Sequence, residues 1–214
     1  MKKKNLAVLF FATVCISATC SCSKDDAEEN RPASDGITNG HAWVDLKLPS
    51  GTLWATCNVG ASKPEDYGDY FAWSVTEPNV FEYSDVSYNF YNDLQTELKP
   101  EHDAATVKWG DKWQTPSIAQ LMELTGGLYT TITPKTYGIM ITSKSNGKSI
   151  FLPAAGYGKD NSIDRAGSEG FYWSRTPDKS RNYYAQYIYF KLGSISVQSD
   201  KRMFGSSIRP VRKQ

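Results

Sequence analysis

The sequence predicts an α+β fold in which short antiparallel strands, one or two helices and long loops surround a single core. Three observations lead to this prediction. Short segments of alternating apolar and polar residues recur between turn residues, as in antiparallel strands. Residues 117–125 form the best helical segment, and residues 76–100 lack a periodic pattern and indicate a long loop. Many short strands around few helices favour the α+β class.

The ordered domain is expected to begin at His41 with two strands. Val44, Leu46 and Leu48 alternate with polar residues, which indicates a half-buried strand. A second alternating segment places the Cys57 thiol on an apolar face, where a lone cysteine is most often part of the core. The aromatic residues at 70–73 and their neighbours predict a further strand.

The helix at residues 117–125 has recognisable signals at both ends. Ser117 and Gln120 have the spacing of a capping box, Pro116 stands at the entrance, and two glycines follow Thr125. One side of this helix is apolar through Ile118, Leu121, Met122 and Leu124.

Strands joined by tight turns are predicted for the rest of the chain. The Asn146-Gly147 pair is a strong hairpin signal, and Lys191-Leu192-Gly193 offers a second tight turn. The predicted strands are residues 138–143, 149–152, 171–174, 183–190, 194–197 and 207–211.

The first 22 residues resemble a lipoprotein signal. A short cationic start precedes an apolar run at residues 6–18, which is too short to cross a bilayer. Small residues then precede two cysteines. Cys22 is the predicted site of lipid attachment because Ser21 is the better small residue before a cut, while Cys20 stays an alternative. The predicted domains are therefore a signal peptide at 1–21, a flexible tether at 22–40 and a folded domain at 41–214.

The residues just after the cysteine predict where the lipid-anchored chain is located. Ser23-Lys24-Asp25-Asp26 looks like the acidic export signal of Bacteroidota lipoproteins that face the cell exterior from the outer membrane. A solvated linker on a protein that faces the periplasm is the alternative interpretation.

The composition argues against a nucleic-acid partner and against an intrachain disulfide. Removal of the signal takes three lysines away and leaves 21 basic and 23 acidic residues, a net charge of −2. Such a balance provides no basic surface for nucleic acid. Cys57 is then the one cysteine without a lipid, so no intrachain disulfide is expected.

Three blocks of sequence carry a resemblance to a known family. They are VDLKLPSGTLWATCNVGASKPEDYGDYFAWSVTEP at 44–78, DAATVKWGDKWQTPSIAQLMEL at 103–124, and SIFLPAAGYG, GFYWSRTP, AQYIYFKLGSISV and GSSIRPVR near the end. Their order resembles the Fibrobacter succinogenes major paralogous domain family of Bacteroidota lipoproteins. The resemblance implies a C-type-lectin-like fold, with the block at 113–124 as the second helix and ligands near residues 153–175. It implies no particular reaction.

Candidate catalytic groups are few, and no catalytic residue or cofactor is predicted. The fold is distantly similar to formylglycine-generating enzymes, but their paired copper-binding cysteines have no counterpart here. His41 and His102 are the two imidazoles available as a base, and both are interpreted as structural. Motifs for a nucleophile elbow or a zinc protease are absent from the sequence.

A calcium-dependent lectin is a less favoured alternative. Glu77-Pro78-Asn79 and Tyr91-Asn92-Asp93 echo the sugar-binding motifs of C-type lectins, and their oxygen ligands suit calcium. In those lectins both motifs follow the second helix, whereas here both precede it. No metal site is therefore predicted, and the first motif is interpreted as a loop turn.

The remaining candidate surface is the loop at residues 156–173. Aromatic and hydrogen-bonding side chains together suit a sugar or a protein partner. The alternative is a glycine-rich loop over a core tryptophan, and the tyrosines at 183, 187 and 189 present the same ambiguity. The candidate ligand-binding residues are Tyr157, Asp160, Asp164, Arg165, Glu169, Tyr172 and Trp173.

The sequence thus predicts a non-catalytic cell-surface lipoprotein with a lectin-like domain that binds an extracellular glycan or protein. A structural or assembly module of the cell envelope without a small ligand is the principal alternative.

Overall fold

Strands and β-bridges account for 42% of the residues that the structure describes, and helices account for 10%. The structure, a computed structural model, describes residues 34–79, 96–160 and 162–212, all within the unit Pro32–Gln214. In these ranges just one helix exceeds six residues. The fold is therefore β-rich, and the prediction of an α+β, C-type-lectin-like fold was wrong. The helices are too short to form a layer of their own, so most of the core lies between sheets.

The described elements follow one another as short segments. The strands are β1 Gly36–Thr38, β2 His41–Asp45, β3 Leu53–Ala55, β4 Trp113–Gln114, β5 Thr130–Lys135, β6 Gly138–Ser143, β7 Ser149–Pro153, β8 Tyr157–Lys159, β9 Ser162–Asp164, β10 Glu169–Pro177, β11 Tyr184–Lys191, β12 Ser194–Lys201 and β13 Val211–Arg212. The helices are α1 Ala104–Trp109 and α2 Ile118–Thr125, and a 3-10 turn at Pro100–His102 precedes α1.

A five-stranded sheet has the order β1-β2-β3-β13-β4 and joins distant parts of the chain. Val211 of β13 pairs with Trp54 on one side and with Gln114 on the other. Both Val211 and Trp54 are completely buried. The last described strand therefore holds the early strands and the segment before α2 in one sheet.

Two three-stranded antiparallel meanders follow α2, with orders β5-β6-β7 and β10-β11-β12. The predicted turns are present. Gly147 adopts a left-handed φ of +71° between β6 and β7, and Gly193 adopts +78° between β11 and β12. Glycine tolerates this conformation because it has no Cβ. The hairpin predictions are confirmed.

Helix α2 begins with the predicted capping box. The Gln120 backbone amide donates to Ser117 Oγ over 3.2 Å, and the Ser117 amide donates to Gln120 Oε1 over 2.9 Å. Leu121 and Leu124 then point into the main apolar core, beside Ile141 and Ile188. The preceding helix α1 begins after its N-cap Asp103, whose carboxylate accepts a hydrogen bond from the Ala105 backbone amide over 3.0 Å.

Some sequence predictions of local structure were wrong. Residues 70–73 and 207–211 do not form full strands; instead Phe71 and Ser207 make isolated bridges, and β13 starts only at Val211. Cys57 is half-buried and lies outside the core clusters.

Gly36–Thr38 pairs with β2, so the folded domain begins before His41. Residues 1–33, with the signal and lipid-site predictions, lie outside the described residues.

A buried arginine links the segment before β13 to the end of β3 and the residues that follow it. Arg209 is 1% exposed, and its Nε donates to Asn58 Oδ1 over 2.9 Å. One terminal nitrogen donates to the carbonyls of Ala55 and Thr56, at 3.3 and 2.9 Å. Burial lowers the pKa of this guanidinium. The cation is thus held by an amide and by backbone carbonyls.

Candidate functional site

Aromatic side chains line one face of the β10-β11-β12 sheet. Side chains of alternate residues share a face of a sheet, and the register sets Phe171 of β10 beside Tyr189 of β11. Phe171 lies 5.2 Å from Tyr189, 5.9 Å from Tyr187 and 4.9 Å from Tyr157, measured between ring centroids. Phe204 lies 5.9 Å from Tyr157. We call these five residues the aromatic shelf.

Exposure differs along the aromatic shelf. Phe171 is 8% exposed and Tyr187 is 4% exposed, so both rings belong to the supporting layer. Tyr157, Tyr189 and Phe204 are half-buried. A ligand can therefore reach the edges of three rings that are fixed from beneath by closely packed neighbours.

An ion pair borders the shelf at one end. Arg165 donates to Glu169 over 2.7 Å, and the guanidinium lies 5.7 Å from the centre of the Tyr157 ring. The Glu169 carboxylate also lies near the Tyr189 hydroxyl, and burial together with this carboxylate raises the pKa of that phenol. Arg165 holds a left-handed φ of 60°, a conformation that costs a non-glycine residue free energy and is often found at functional sites.

Polar side chains of β12 border the shelf on its other side. The Tyr187 hydroxyl donates to Gln198 Oε1 over 3.1 Å, and Gln198 Nε2 donates to Ser196 Oγ over 3.1 Å. The Gln198 amide is thus held in one orientation while the residue stays exposed. Asp200 stands two residues further along the same face, half-buried and beside the Lys201 amide.

The protonation of the site follows from burial. Burial and the nearby Asp200 carboxylate raise the pKa of Tyr187 above its ordinary range. Burial and the nearby Glu169 carboxylate raise the pKa of Tyr189 as well. Both phenols are neutral at physiological pH and serve as hydrogen-bonding groups. Burial also raises the pKa of Asp200.

The structure brings three of the predicted ligand-binding residues together, sets Asp164 on the same face of the β8-β9 hairpin as Tyr157, and places Asp160 apart from them. Tyr157, Arg165 and Glu169 meet at the shelf, as described above. Asp160 is exposed at the turn between β8 and β9, 3.8 Å from Lys159 Nζ. Asp164 is exposed on β9, opposite Tyr157 in the register. The loop composition did not distinguish these positions.

The last two predicted residues are part of the core. Tyr172 is 0% exposed and its hydroxyl donates to the Pro153 carbonyl over 2.8 Å. Trp173 is 2% exposed, and its indole nitrogen donates to the Phe71 carbonyl over 2.9 Å. A ligand on the surface does not touch either ring. Their contribution is to support neighbours, since Trp173 contacts Tyr187 edge-on.

Gln198, Ser196, Asp200 and Phe204 were missed from the sequence. The polar residues of β12 belong to the shelf because of its pairing with β11, which sets Tyr187 opposite Gln198 and Tyr189 opposite Ser196. The signal was the alternation of polar residues in SISVQSDK after the predicted hairpin. Phe204 follows β12 in an irregular segment and carried no such signal.

The side chains considered above as a catalytic base or as calcium ligands make contacts that are typical of structural residues. His41 stacks on Trp109 with ring centroids 3.7 Å apart, and burial lowers its pKa. Asn79 Oδ1 accepts a hydrogen bond from the Tyr70 backbone amide, and the Glu77 carboxylate lies 3.8 Å from Lys108 Nζ. Among the described residues, no group of three or more His, Cys, Asp or Glu side chains has a geometry that could hold a metal ion. The Tyr91-Asn92-Asp93 motif lies outside the described residues.

None of the helices in the described ranges has the length and apolarity needed to cross a membrane.

Comparison with known proteins identifies one partial similarity. Residues 139–211 match the family model of a domain of unknown function (DUF8237). This segment runs from β6 to β13 and includes the whole aromatic shelf. No curated protein and no solved structure matches the chain.

Proposed function

We propose that this protein is a non-enzymatic lipoprotein that binds an extracellular glycan or protein through the aromatic shelf. The observation that supports the proposal best is the combination at the shelf of accessible aromatic edges with polar groups already fixed by hydrogen bonds. The resemblance of the sequence to a family of Bacteroidota lipoproteins agrees with a surface location. Membership of that family remains a separate proposal.

The arrangement of the shelf fits a glycan in particular. The half-buried Tyr157 and Tyr189 rings offer apolar area at little cost in conformational entropy. Gln198, Glu169 and Arg165 offer amide, carboxylate and guanidinium groups on either side. Sites of this kind take their orientation from a few convergent polar groups on a mainly apolar lining. Tyr187 and Glu169 fix these groups before the ligand arrives, so that less entropy is lost on binding.

Binding is tested with the protein from residue 22 onward carrying Cys22→Ser, applied to a glycan array. We expect Tyr157→Ala and Arg165→Ala each to weaken binding of any positive glycan at least about tenfold, since central aromatic and arginine side chains often contribute 2 kcal/mol or more. Tyr129→Ala is the matched control because Tyr129 is 39% exposed and lies before β5. A silent array together with co-purification of an envelope protein would instead favour the assembly module.

The lipid anchor is supported by sequence alone and needs its own experiment. In cells fed an alkyne-labelled fatty acid, we expect the label on the protein to be lost in Cys22→Ser and kept in Cys20→Ser. Protease added to intact cells is expected to degrade the domain if it faces the exterior. The reverse labelling pattern would move the anchor to Cys20, and label retained in both variants would argue against a lipid on either cysteine.

A further inference from the structure

An apolar cleft separates two strands that each end a sheet. Strand β5 is the edge of the β5-β6-β7 meander, and β12 is the edge of the β10-β11-β12 meander. The cleft between them has a volume of about 230 Å³. Past Phe190 it continues as a second depression of about 110 Å³. Its apolar lining consists of Ile132, Pro134, Ile139, Phe190 and Ile195, and we call it the edge cleft.

The hairpin between β11 and β12 determines which backbone groups of β12 are available. Its two-residue loop makes Lys191 and Ser194 a hydrogen-bonded pair, and such pairs then alternate along an antiparallel ladder. The Arg202 amide, bonded to the Tyr183 carbonyl over 2.8 Å, continues the same alternation. The amides and carbonyls of Ile195, Val197 and Ser199 therefore point away from β11. Among the described strands β12 pairs with β11 alone, and the turn and loop backbone hydrogen bonds do not use these groups.

The two edges are not equivalent. On β5, Pro134 lines the cleft and has no backbone N–H, so this edge cannot offer a continuous ladder. On β12, no proline interrupts the strand. Val197 is 40% exposed beside the half-buried Ile195. A strand added to β12 would place alternate side chains next to these two residues and into the cleft.

The rim of the cleft carries positive charge. Lys135 and Lys191 are exposed at the ends of neighbouring hairpins, where both line the depression past Phe190. Neither forms an ion pair with a carboxylate of the described residues. An acidic residue on an incoming segment would be attracted there.

We propose that the edge cleft binds an extended acidic peptide segment of a partner protein as an added strand on β12. Apolar side chains at alternate positions of the peptide fill the cleft, and an acidic residue lies near Lys135 and Lys191. This site is independent of the aromatic shelf because Gln198 and Val197 project from opposite faces of β12.

The proposal is tested by selecting a random octapeptide library displayed on phage against the protein from residue 22 onward with Cys22→Ser. We expect enriched peptides to alternate apolar residues and to carry an acidic residue near one end. Their binding should weaken at least about tenfold in Val197→Pro, which removes an outward amide without touching the pairing with β11, and in the Lys135→Glu/Lys191→Glu double variant. Hydrogen exchange of the amides of Ile195, Val197 and Ser199 should slow on binding.

Two control variants separate this site from other surfaces. Ile37→Ser changes a 71% exposed residue on another sheet, and Tyr157→Ala changes the shelf; both should bind the peptides like the parent protein. Failure to enrich any peptide, or equal binding by the lysine variant, would overturn the proposal without affecting glycan binding at the shelf. If circular dichroism shows Val197→Pro to be unfolded, the lysine variant and the hydrogen exchange decide the question.

Discussion

Arg209 combines complete burial with a positive charge that no carboxylate compensates in its hydrogen bonds. Its guanidinium donates hydrogen bonds to the Asn58 side-chain oxygen and to the carbonyls of Ala55 and Thr56. A buried acceptor that loses its donor costs about 1 to 3 kcal/mol. The arginine is therefore a structural residue, and the cost of its removal comes mainly from the partners left behind.

We expect Arg209→Met to lower the free energy of unfolding by about 3 kcal/mol, because several buried acceptors lose their donor together. Urea denaturation followed by tryptophan fluorescence measures this change. Lys159→Met is the control, since Lys159 and Asp160 form an ion pair whose side chains are 45% and 77% exposed, and exposed pairs contribute about 1 kcal/mol or less. Equal losses in both variants would contradict the structural role of Arg209.

His41 makes stability depend on pH near neutrality. Burial against Trp109 lowers its pKa from the ordinary 6.5, so the folded protein binds this proton less tightly than the unfolded chain does. The contribution of the neutral imidazole is then complete above pH 6.5 and is lost as the pH falls through and below that value. The pKa of Asp35 is lowered mainly by its hydrogen bond to Lys148, and the pKa of Asp45 is lowered mainly by its hydrogen bond to Lys47. Both lowered pKa values affect stability only in stronger acid.

The expected outcome is a melting temperature that falls by a few degrees from pH 7.5 to pH 5.5 in the parent protein, and by less in His41→Phe, which keeps a ring against Trp109. Differential scanning calorimetry across this pH range provides the measurement. His102 is unchanged in both proteins, so the difference between the two profiles reports on His41. Identical profiles would argue against a buried neutral imidazole.

At the site, single residues could be predicted only in part. Tyr157, Arg165 and Glu169 were selected because aromatic and charged residues stand out in a glycine-rich loop, and the structure places them close together. Tyr172 and Trp173 belong to the same stretch of sequence, yet Tyr172 points into the core from the opposite face of β10. Which face is buried depends on what packs there, and composition does not carry that information.

At the scale of elements, local signals predicted the structure well wherever the physical cause was local. The capping box of α2 and the glycine turns after β6 and β11 depend on residues within a few positions of one another. Strand β13 is different, because its two residues are strands only through pairing with β3 and β4. Likewise, Phe71 and Ser207 looked like parts of longer strands but make single bridges.

The capping box permits a direct test of how much α2 depends on its first turn. Ser117→Ala removes the acceptor of the Gln120 amide and is expected to cost about 1 kcal/mol. Gln120→Ala should cost at least as much, because Gln120 Nε2 also donates to Thr52 Oγ1 over 2.9 Å. Urea denaturation of both variants measures the costs, with the exposed Ser162→Ala as control. No loss in Ser117→Ala would mean that tertiary packing alone holds the helix.

At the scale of the whole molecule, the sequence correctly predicted antiparallel strands, but it did not predict the β-rich fold class. The sequence shows its helices clearly because caps are local, and this gave two short helices more weight than they have in the fold. Sheet order and the packing of one sheet on another depend on pairings between distant residues, for which a single sequence offers no direct signal. The placement of β12 along the aromatic shelf and the edge cleft belongs to this second kind of information.

The position of β13 also affects the order in which the molecule is completed. Until β13 enters between β3 and β4, strand β4 is not joined to the rest of the five-stranded sheet, and β13 follows the other described strands in chain order. Pairings between such distant segments pay a large loop-closure entropy and fold slowly. A chain that emerges from its N-terminus onward cannot close this sheet early. In the exported lipoprotein that we propose, the five-stranded sheet is therefore completed only after the segment with β13 has emerged.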